Sequence, residues 1–101
     1  AHLVIVESPG TRVGTRLGLR GGRQLIGRDP EKAEILLRDE TVSREHAMIF
    51  QESGVFYLQD QFSTAGTLVN GQKISREALA DGDEITLGKT KLVFHSTPKQ
   101  D

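Results

Sequence analysis

Short hydrophobic runs separated at even intervals by turn-forming residues dominate this chain, and they restrict it to strands. His2–Glu7 reads as a strand ended by the breaker Ser8-Pro9-Gly10. Arg16–Arg20 and Arg23–Gly27 flank Gly21-Gly22, a dipeptide able to supply the positive φ angles of a two-residue turn, so a hairpin is expected there. Glu34–Leu37 is a further short strand. Ala47–Phe50 should pair with Val55–Leu58 across Ser53-Gly54, Thr67–Val69 with Gln72–Ile74 across Asn70-Gly71, and Glu84–Leu87 with Lys91–His95 through Gly88. Met48, Phe50, Phe56, Leu58 and Phe94 fall at strand spacing and are read as core or sheet surface. No segment has convincing helical periodicity. Ser75–Ala80, ahead of the Asp81-Gly82-Asp83 turn, is expected to form one helical turn at most. The pattern predicts an all-β sandwich of roughly ten short strands without repeats or low-complexity tracts.

A chain of 101 residues fits one domain, placed at residues 1–95, followed by a polar tail from Ser96 to Asp101. The chain starts almost directly inside a strand, so it is read as a segment of a longer protein, and the isolated domain is expected to be monomeric. Cysteine is absent, so neither disulfides nor a cysteine-ligated metal can hold the fold, and a reducing compartment suits it. There is no charged-then-apolar leader, membrane-length apolar run or lipidation signal, and an intracellular, cytoplasmic location is expected. Thirteen basic against fourteen acidic residues argue against nucleic-acid binding, which usually requires a basic excess. The charges are nonetheless segregated. Thr11 to Arg28 carries Arg12, Arg16, Arg20, Arg23 and Arg28 and no acid, whereas Glu77 to Glu84 carries Glu77, Asp81, Asp83 and Glu84 and no base. A dipolar molecule is expected, with Arg16 and Arg20 alternating along a half-buried strand.

Three polar fragments fall between the strands: Gly27-Arg28-Asp29, Ser43-Arg44-Glu45-His46 and Ser63-Thr64-Ala65-Gly66-Thr67. Arg28 follows a strand-ending glycine, and its planar, permanently charged fork of donors matches phosphate or carboxylate oxygens. Ser43 and Arg44 add a hydroxyl, backbone N–H groups and a second guanidinium. The third fragment is rich in small hydroxyls and free of bulk. These loops suggest a rigid sheet scaffold that gathers donors around one anion.

In this order and at these distances the fragments resemble the forkhead-associated (FHA) domain, a phosphothreonine-binding β-sandwich. The resemblance covers about Leu19 to Phe94. It rests on Gly27-Arg28, then Ser43-Arg44-Glu45-His46, then Asp60-x-x-Ser63-Thr64-Ala65-Gly66-Thr67-Leu68-Val69-Asn70-Gly71, then Leu79-x-x-Gly82-Asp83-x-Ile85-x-x-Gly88. It implies a sandwich of about eleven strands whose loops at one end bind phosphothreonine in a partner segment produced by an upstream Ser/Thr kinase. By that similarity Arg28 and Ser43 contact phosphate, Arg44 adds charge or orients the peptide, Thr64 helps close the pocket, and Asn70 lies near the peptide in a secondary role. Gly27, His46, Gly66 and Gly71 support the site, with His46 bracing the loop. The residue three positions after the phosphothreonine would be read by loop side chains, with Arg38–Glu40 and Gln59–Phe62 as candidates. One departure stands out: Ala65 occupies the place of the usual Asn, which hydrogen-bonds the ligand main chain. Losing a neutral hydrogen bond costs about 0.5–1.5 kcal/mol, so binding should weaken several-fold.

Other functions are disfavoured residue by residue. His46 lies three residues from Ser43 with no third orienting group evident, a poor arrangement for nucleophilic catalysis. No metal cluster, nucleotide loop or carboxylate pair is evident, so no catalytic residue, metal or other cofactor is assigned, nor a membrane partner. Asn70, Gly66 and Gly71 also have backbone reasons to stand in turns. His2 and His95 have no evident partner and are taken as structural or exposed. The remaining alternative is an interaction domain that docks partners without phosphate, through loops or a sheet face, and Ala65 is its main support.

Overall fold

The computed structural model describes residues 1–96, and residues 97–101 of the expected tail lie outside the described residues. Eleven strands follow one another: β1 His2–Glu7, β2 Arg16–Gly18, β3 Gln24–Gly27, β4 Ile35–Leu36, β5 Ala47–Glu52, β6 Val55–Asp60, β7 Thr67–Val69, β8 Gln72–Ile74, β9 Arg76–Ala78, β10 Glu84–Leu87 and β11 Thr90–His95. They form two sheets, ordered β2-β1-β11-β10-β7-β8 and β4-β3-β5-β6-β9. Every pair is antiparallel except β3 with β4, where Ile26 faces Ile35. The all-β sandwich expected from the turn spacing is the fold observed.

Alternation along each strand builds the core between the sheets. Leu3 and Ile5, Ala47 and Ile49, Phe56 and Leu58, Ile85 and Leu87, and Leu92 and Phe94 all point inward and are buried. The residues between them point the other way. Phe50 stacks on Tyr57 at 5.6 Å outside the core cluster, with the Arg76 guanidinium over both rings and that of Arg23 over Phe50. Exposed arginines thus cover an outer aromatic pair instead of a hydrophobic interior.

The tight turns follow their dipeptides. Ser53-Gly54 takes φ of 51° and 81°, and Asn70-Gly71 takes 52° and 81°, the left-handed pair that a two-residue hairpin with right-handed strand twist requires. Gly88-Lys89 joins β10 to β11 in the same two-residue span, with Leu87 facing Thr90.

Three expectations need correction. Gly21-Gly22 does not close a hairpin: β2 pairs with β1 in one sheet and β3 with β5 and β4 in the other, so the diglycine carries the chain between sheets. Neither glycine adopts positive φ, and the buried Gln24 side chain fastens the crossing by accepting a hydrogen bond from the Arg20 N–H at 2.8 Å. Residues 75–80 form no helical turn, and Arg76–Ala78 within them is the edge strand β9, in which Glu77 faces Leu58. Finally, His2 and His95 do have partners. They lie opposite each other in the β1–β11 ladder with rings stacked at 5.1 Å, while Arg16 reaches His2 at 3.2 Å and Asp81 lies 3.8 Å from His95.

Candidate functional site

The segments that leave β3, precede β5 and precede β7 meet at one end of the sandwich. Gly27 makes the first junction possible. A Cβ there would lie 1.9 Å from the Arg44 carbonyl oxygen, so only glycine lets the end of β3 run against the loop that carries Ser43 and Arg44. Backbone bonds seal the contact, with Arg28 N donating to Ser43 O at 3.1 Å and Asp29 N to Arg44 O at 3.3 Å.

His46 makes the second junction. Its side chain is fully buried, its Nδ1 accepts the Ser43 N–H at 3.0 Å, and its Nε2 lies 2.9 Å from the Gly66 carbonyl. An acceptor at Nδ1 fixes the tautomer, so Nε2 carries the proton and donates to Gly66. One imidazole therefore ties the loop before β5 to the loop before β7, and its nitrogens are both engaged in bracing.

The third loop is organised by Asp60, whose carboxylate accepts from the hydroxyls of Ser63 and Thr67 and from the Ser63 N–H. Burial disfavours the Asp60 anion, but these hydrogen bonds outweigh it and hold the carboxyl below its usual range. Ser63 Oγ accepts in turn from Gly66 N at 3.0 Å, and Gly66 takes φ of 85° with the Lys73 side chain passing over it.

The loop before β5 is fastened to the other sheet by a polar network. Asp39, 3% exposed, accepts from the N–H and hydroxyl of Thr41 and from the buried Thr90 hydroxyl at 2.8 Å, and Thr90 meets the Ser8 hydroxyl at 3.0 Å. Thr41 Oγ1 also accepts from Lys89 N at 2.8 Å, and it sits against Gly88, where a Cβ would come within 2.4 Å of it. Burial again opposes ionisation of Asp39, and its hydrogen bonds prevail, lowering the carboxyl below its usual range.

These constraints shape an open depression of about 530 Å³ lined by Arg28, Glu40, Thr41, Val42, Ser43, Arg44, Thr64 and Ala65. Arg28 donates through Nε to Val42 O at 2.9 Å, which aims the guanidinium and leaves its Nη groups free of protein partners among the described residues. Ser43 Oγ accepts the Thr64 N–H at 3.0 Å, so its own O–H is available to an acceptor in the depression. Two guanidiniums, an aimed hydroxyl and a single carboxylate, that of exposed Glu40, make the surface suited to an anion.

Five of the six residues expected to contact a ligand thus come together: Arg28, Ser43, Arg44, Thr64 and Ala65. Asn70 lies elsewhere. Its side-chain amide donates to Asp83 Oδ1 and accepts from Glu84 N, both at 3.0 Å, clamping the β7–β8 turn to β10. Gly71 belongs to that same turn. Sequence reasoning missed Thr41 and Val42, whose one signal was adjacency to Ser43, and it missed the Asp39 network, whose links to Thr90 and Ser8 span 51 and 82 positions and give no local signal.

Fold and depression together define the class. A family model described as FHA domain matches residues 25–88, and the chain belongs to that family. Among its relatives, the glycogen accumulation regulator GarA of Mycolicibacterium smegmatis is 40% identical over 98 residues, covering 97% of this chain and 61% of that protein. The oxoglutarate dehydrogenase inhibitor of Corynebacterium diphtheriae is 38% identical over 96 residues, covering 95% and 66%. The chain therefore spans about two thirds or less of the length of these curated relatives. An FHA domain solved in a study of phosphothreonine-dependent interactions superposes with a TM-score of 0.84 at 34% identity, covering 98% of this chain and all of that one. The FhaA FHA domain, solved in complex with the intracellular domain of Rv3910, gives 0.80 at 37% identity over 91% of this chain and 96% of its own.

Proposed function

We propose that this domain recognises phosphothreonine in an extended segment of a partner protein and thereby recruits or regulates that partner downstream of a Ser/Thr kinase. The observation that carries the reading is the convergence of the Arg28 Nη groups, the Ser43 hydroxyl and the Arg44 guanidinium on one depression whose loops are already tied together by His46. Arg28 and Ser43 contact the phosphate, Arg44 adds charge, Thr64 bounds the pocket, and Ala65 lies where the ligand main chain passes. Gly27, His46 and Gly66 hold the loops. Asn70 and Gly71 act at a distance by shaping the β7–β8 turn. A phosphate with nearly two charges and three acceptor oxygens suits this donor set, each charge-assisted bond contributing about 1.5–3 kcal/mol.

The domain acts by binding and not by turnover, as the names of its regulator and inhibitor relatives support. Residues 1–95 form its binding unit. Its place is the cytoplasm, where kinases meet their substrates; among the described residues no helix is long and apolar enough to cross a membrane. Calorimetric titration with a phosphothreonine peptide library tests the reading, beside unphosphorylated, phosphoserine and glutamate counterparts. Binding should require the phosphate and fall about 100-fold in Arg28→Ala, the equivalent of about 3 kcal/mol. Binding that survives both phosphatase treatment and Arg28→Ala would instead assign the domain to phosphate-independent docking, the reading that Ala65 favours.

A further inference from the structure

Asn70, the only asparagine in the chain, stands before Gly71 in an exposed turn, and the pairing has a chemistry beyond turn geometry. The side-chain carbonyl carbon of an asparagine is an electrophile, and bonding between it and the next backbone nitrogen closes a five-membered imide. Glycine at the second position removes the Cβ that would hinder this approach. Here nothing lies within 4 Å of where a Gly71 Cβ would stand, and among the described residues the Gly71 N–H has no protein acceptor. The nucleophile is therefore free and open to water.

The electrophile is not. Asn70 Nδ2 donates to Asp83 Oδ1 and Asn70 Oδ1 accepts from Glu84 N, both at 3.0 Å, while Asn70 N donates to Glu84 O at 2.7 Å. Asp83 is itself held, its other oxygen accepting from Ala80 N at 2.8 Å. The side-chain carbon of Asn70 can turn toward Gly71 only when its amide lets go of β10. Of the two side-chain bonds, the one to the Asp83 carboxylate is charge-assisted and the stronger. It also holds the nitrogen that imide formation must expel.

We infer that Asn70 is a self-modification site, a spontaneous deamidation gated by Asp83. When the clamp opens, the Gly71 nitrogen gives its proton to water and bonds to the Asn70 side-chain carbon, and the side-chain nitrogen departs as ammonia. Water then opens the imide at either carbonyl, leaving an aspartate joined to Gly71 through its α- or its β-carboxyl. The change is one-way, because neither product can restore the clamp. A carboxylate at position 70 has no proton to donate and meets Asp83 as like charge against like. The β-linked product also adds a methylene to a turn whose two residues bring Val69 opposite Gln72. The site thus records how often the β7–β8 turn leaves β10, a local opening and not the unfolding of the whole domain.

The test is incubation of the chain at neutral pH, with site-resolved mass spectrometry following the exchange of NH2 for OH at residue 70 and the linkage formed. The wild type should react at least about tenfold more slowly when folded than in denaturing guanidinium. Asp83→Ala should react about ten- to hundredfold faster than the folded wild type, and Asp83→Asn, which keeps a neutral acceptor, should fall between them. Ile26→Ala weakens the fully buried core from the other sheet and should leave the rate near that of the wild type. Asn70→Asp, a copy of the α-linked product, should unfold at lower denaturant than the wild type. Circular dichroism establishes that each variant is folded; should Asp83→Ala not fold, Asp83→Asn decides. Equal rates in folded and denatured wild type, an Asp83 variant no faster than wild type, or an Ile26→Ala rate that rises as far as that of the Asp83 variant would each overturn the inference. So would the absence of modification at residue 70 in every folded variant.

Discussion

Replacing His46 by alanine should damage both stability and binding although the imidazole lines no part of the depression. The side chain is fully buried and satisfies the Gly66 carbonyl and the Ser43 N–H, at 2.9 and 3.0 Å. Truncation leaves both groups without that partner. A buried polar group left unsatisfied costs about 1–3 kcal/mol. Gly66 is buried and should incur the full cost, whereas the partly buried Ser43 amide can recover some from water. The expected loss is about 2–4 kcal/mol, with the cavity adding to it, against a total stability of about 5–15 kcal/mol for a domain of this kind. Urea unfolding measures it directly. His46→Asn keeps an acceptor near the Nδ1 position and His46→Gln keeps a donor near Nε2, so each should lose roughly half as much as alanine. Phosphopeptide affinity should fall in the same order, because the loops that present Ser43 and Thr64 would no longer be held in place before the ligand arrives. A loss below about 1 kcal/mol in His46→Ala, with affinity unchanged, would refute the bracing argument.

Two further outcomes are expected. Ala65→Asn should strengthen phosphopeptide binding several-fold without altering the urea midpoint, since the exposed Ala65 makes no side-chain hydrogen bond within the domain; isothermal titration checks this, and equal affinities would dissociate position 65 from the ligand main chain. Acid should destabilise the fold through Asp39 and Asp60, whose carboxyls lie below their usual range. Lowered folded-state values mean that the contribution is complete above the unfolded carboxylate range and disappears as pH falls through it toward the folded values, so unfolding free energy should decline below about pH 5. Urea midpoints across that range should show the decline, and Asp60→Asn should flatten part of it.

What the sequence revealed of the fold was mostly local. Ser53-Gly54 and Asn70-Gly71 announced their hairpins because the required left-handed angles are a property of those residues themselves. Gly21-Gly22 misled for the complementary reason: glycine permits a hairpin turn without demanding one, and whether β2 and β3 share a sheet depends on β1 and β5, far away in the chain. Ser75–Ala80 has residues that favour a helix, yet hydrogen bonding to β6 decided the matter. The depression was legible because its donors occur in short fragments whose order matched a known pattern. Asn70 matched that pattern too, but its amide is occupied by Asp83 and Glu84, which no local signal discloses. The facing of His2 and His95 follows from the β1–β11 register, a relation across almost the whole chain.

The fastening of Thr41 and Asp39 also bears on when the site can exist. Ser8 and Thr90, which meet through their hydroxyls, are separated by 82 positions, and Asp39 and Thr90 by 51. Contacts of such long range form slowly, because the loops they close are long and entropically costly. During synthesis the chain therefore emerges with Arg28, Ser43 and Thr64 already made but with the carboxylate under Thr41 still lacking its Thr90 partner. The buried Asp39–Thr90 link between the sheets forms only once β11 has been added, so a ribosome-bound or truncated chain ending before β11 holds every residue assigned to the phosphate yet lacks that part of the footing under them.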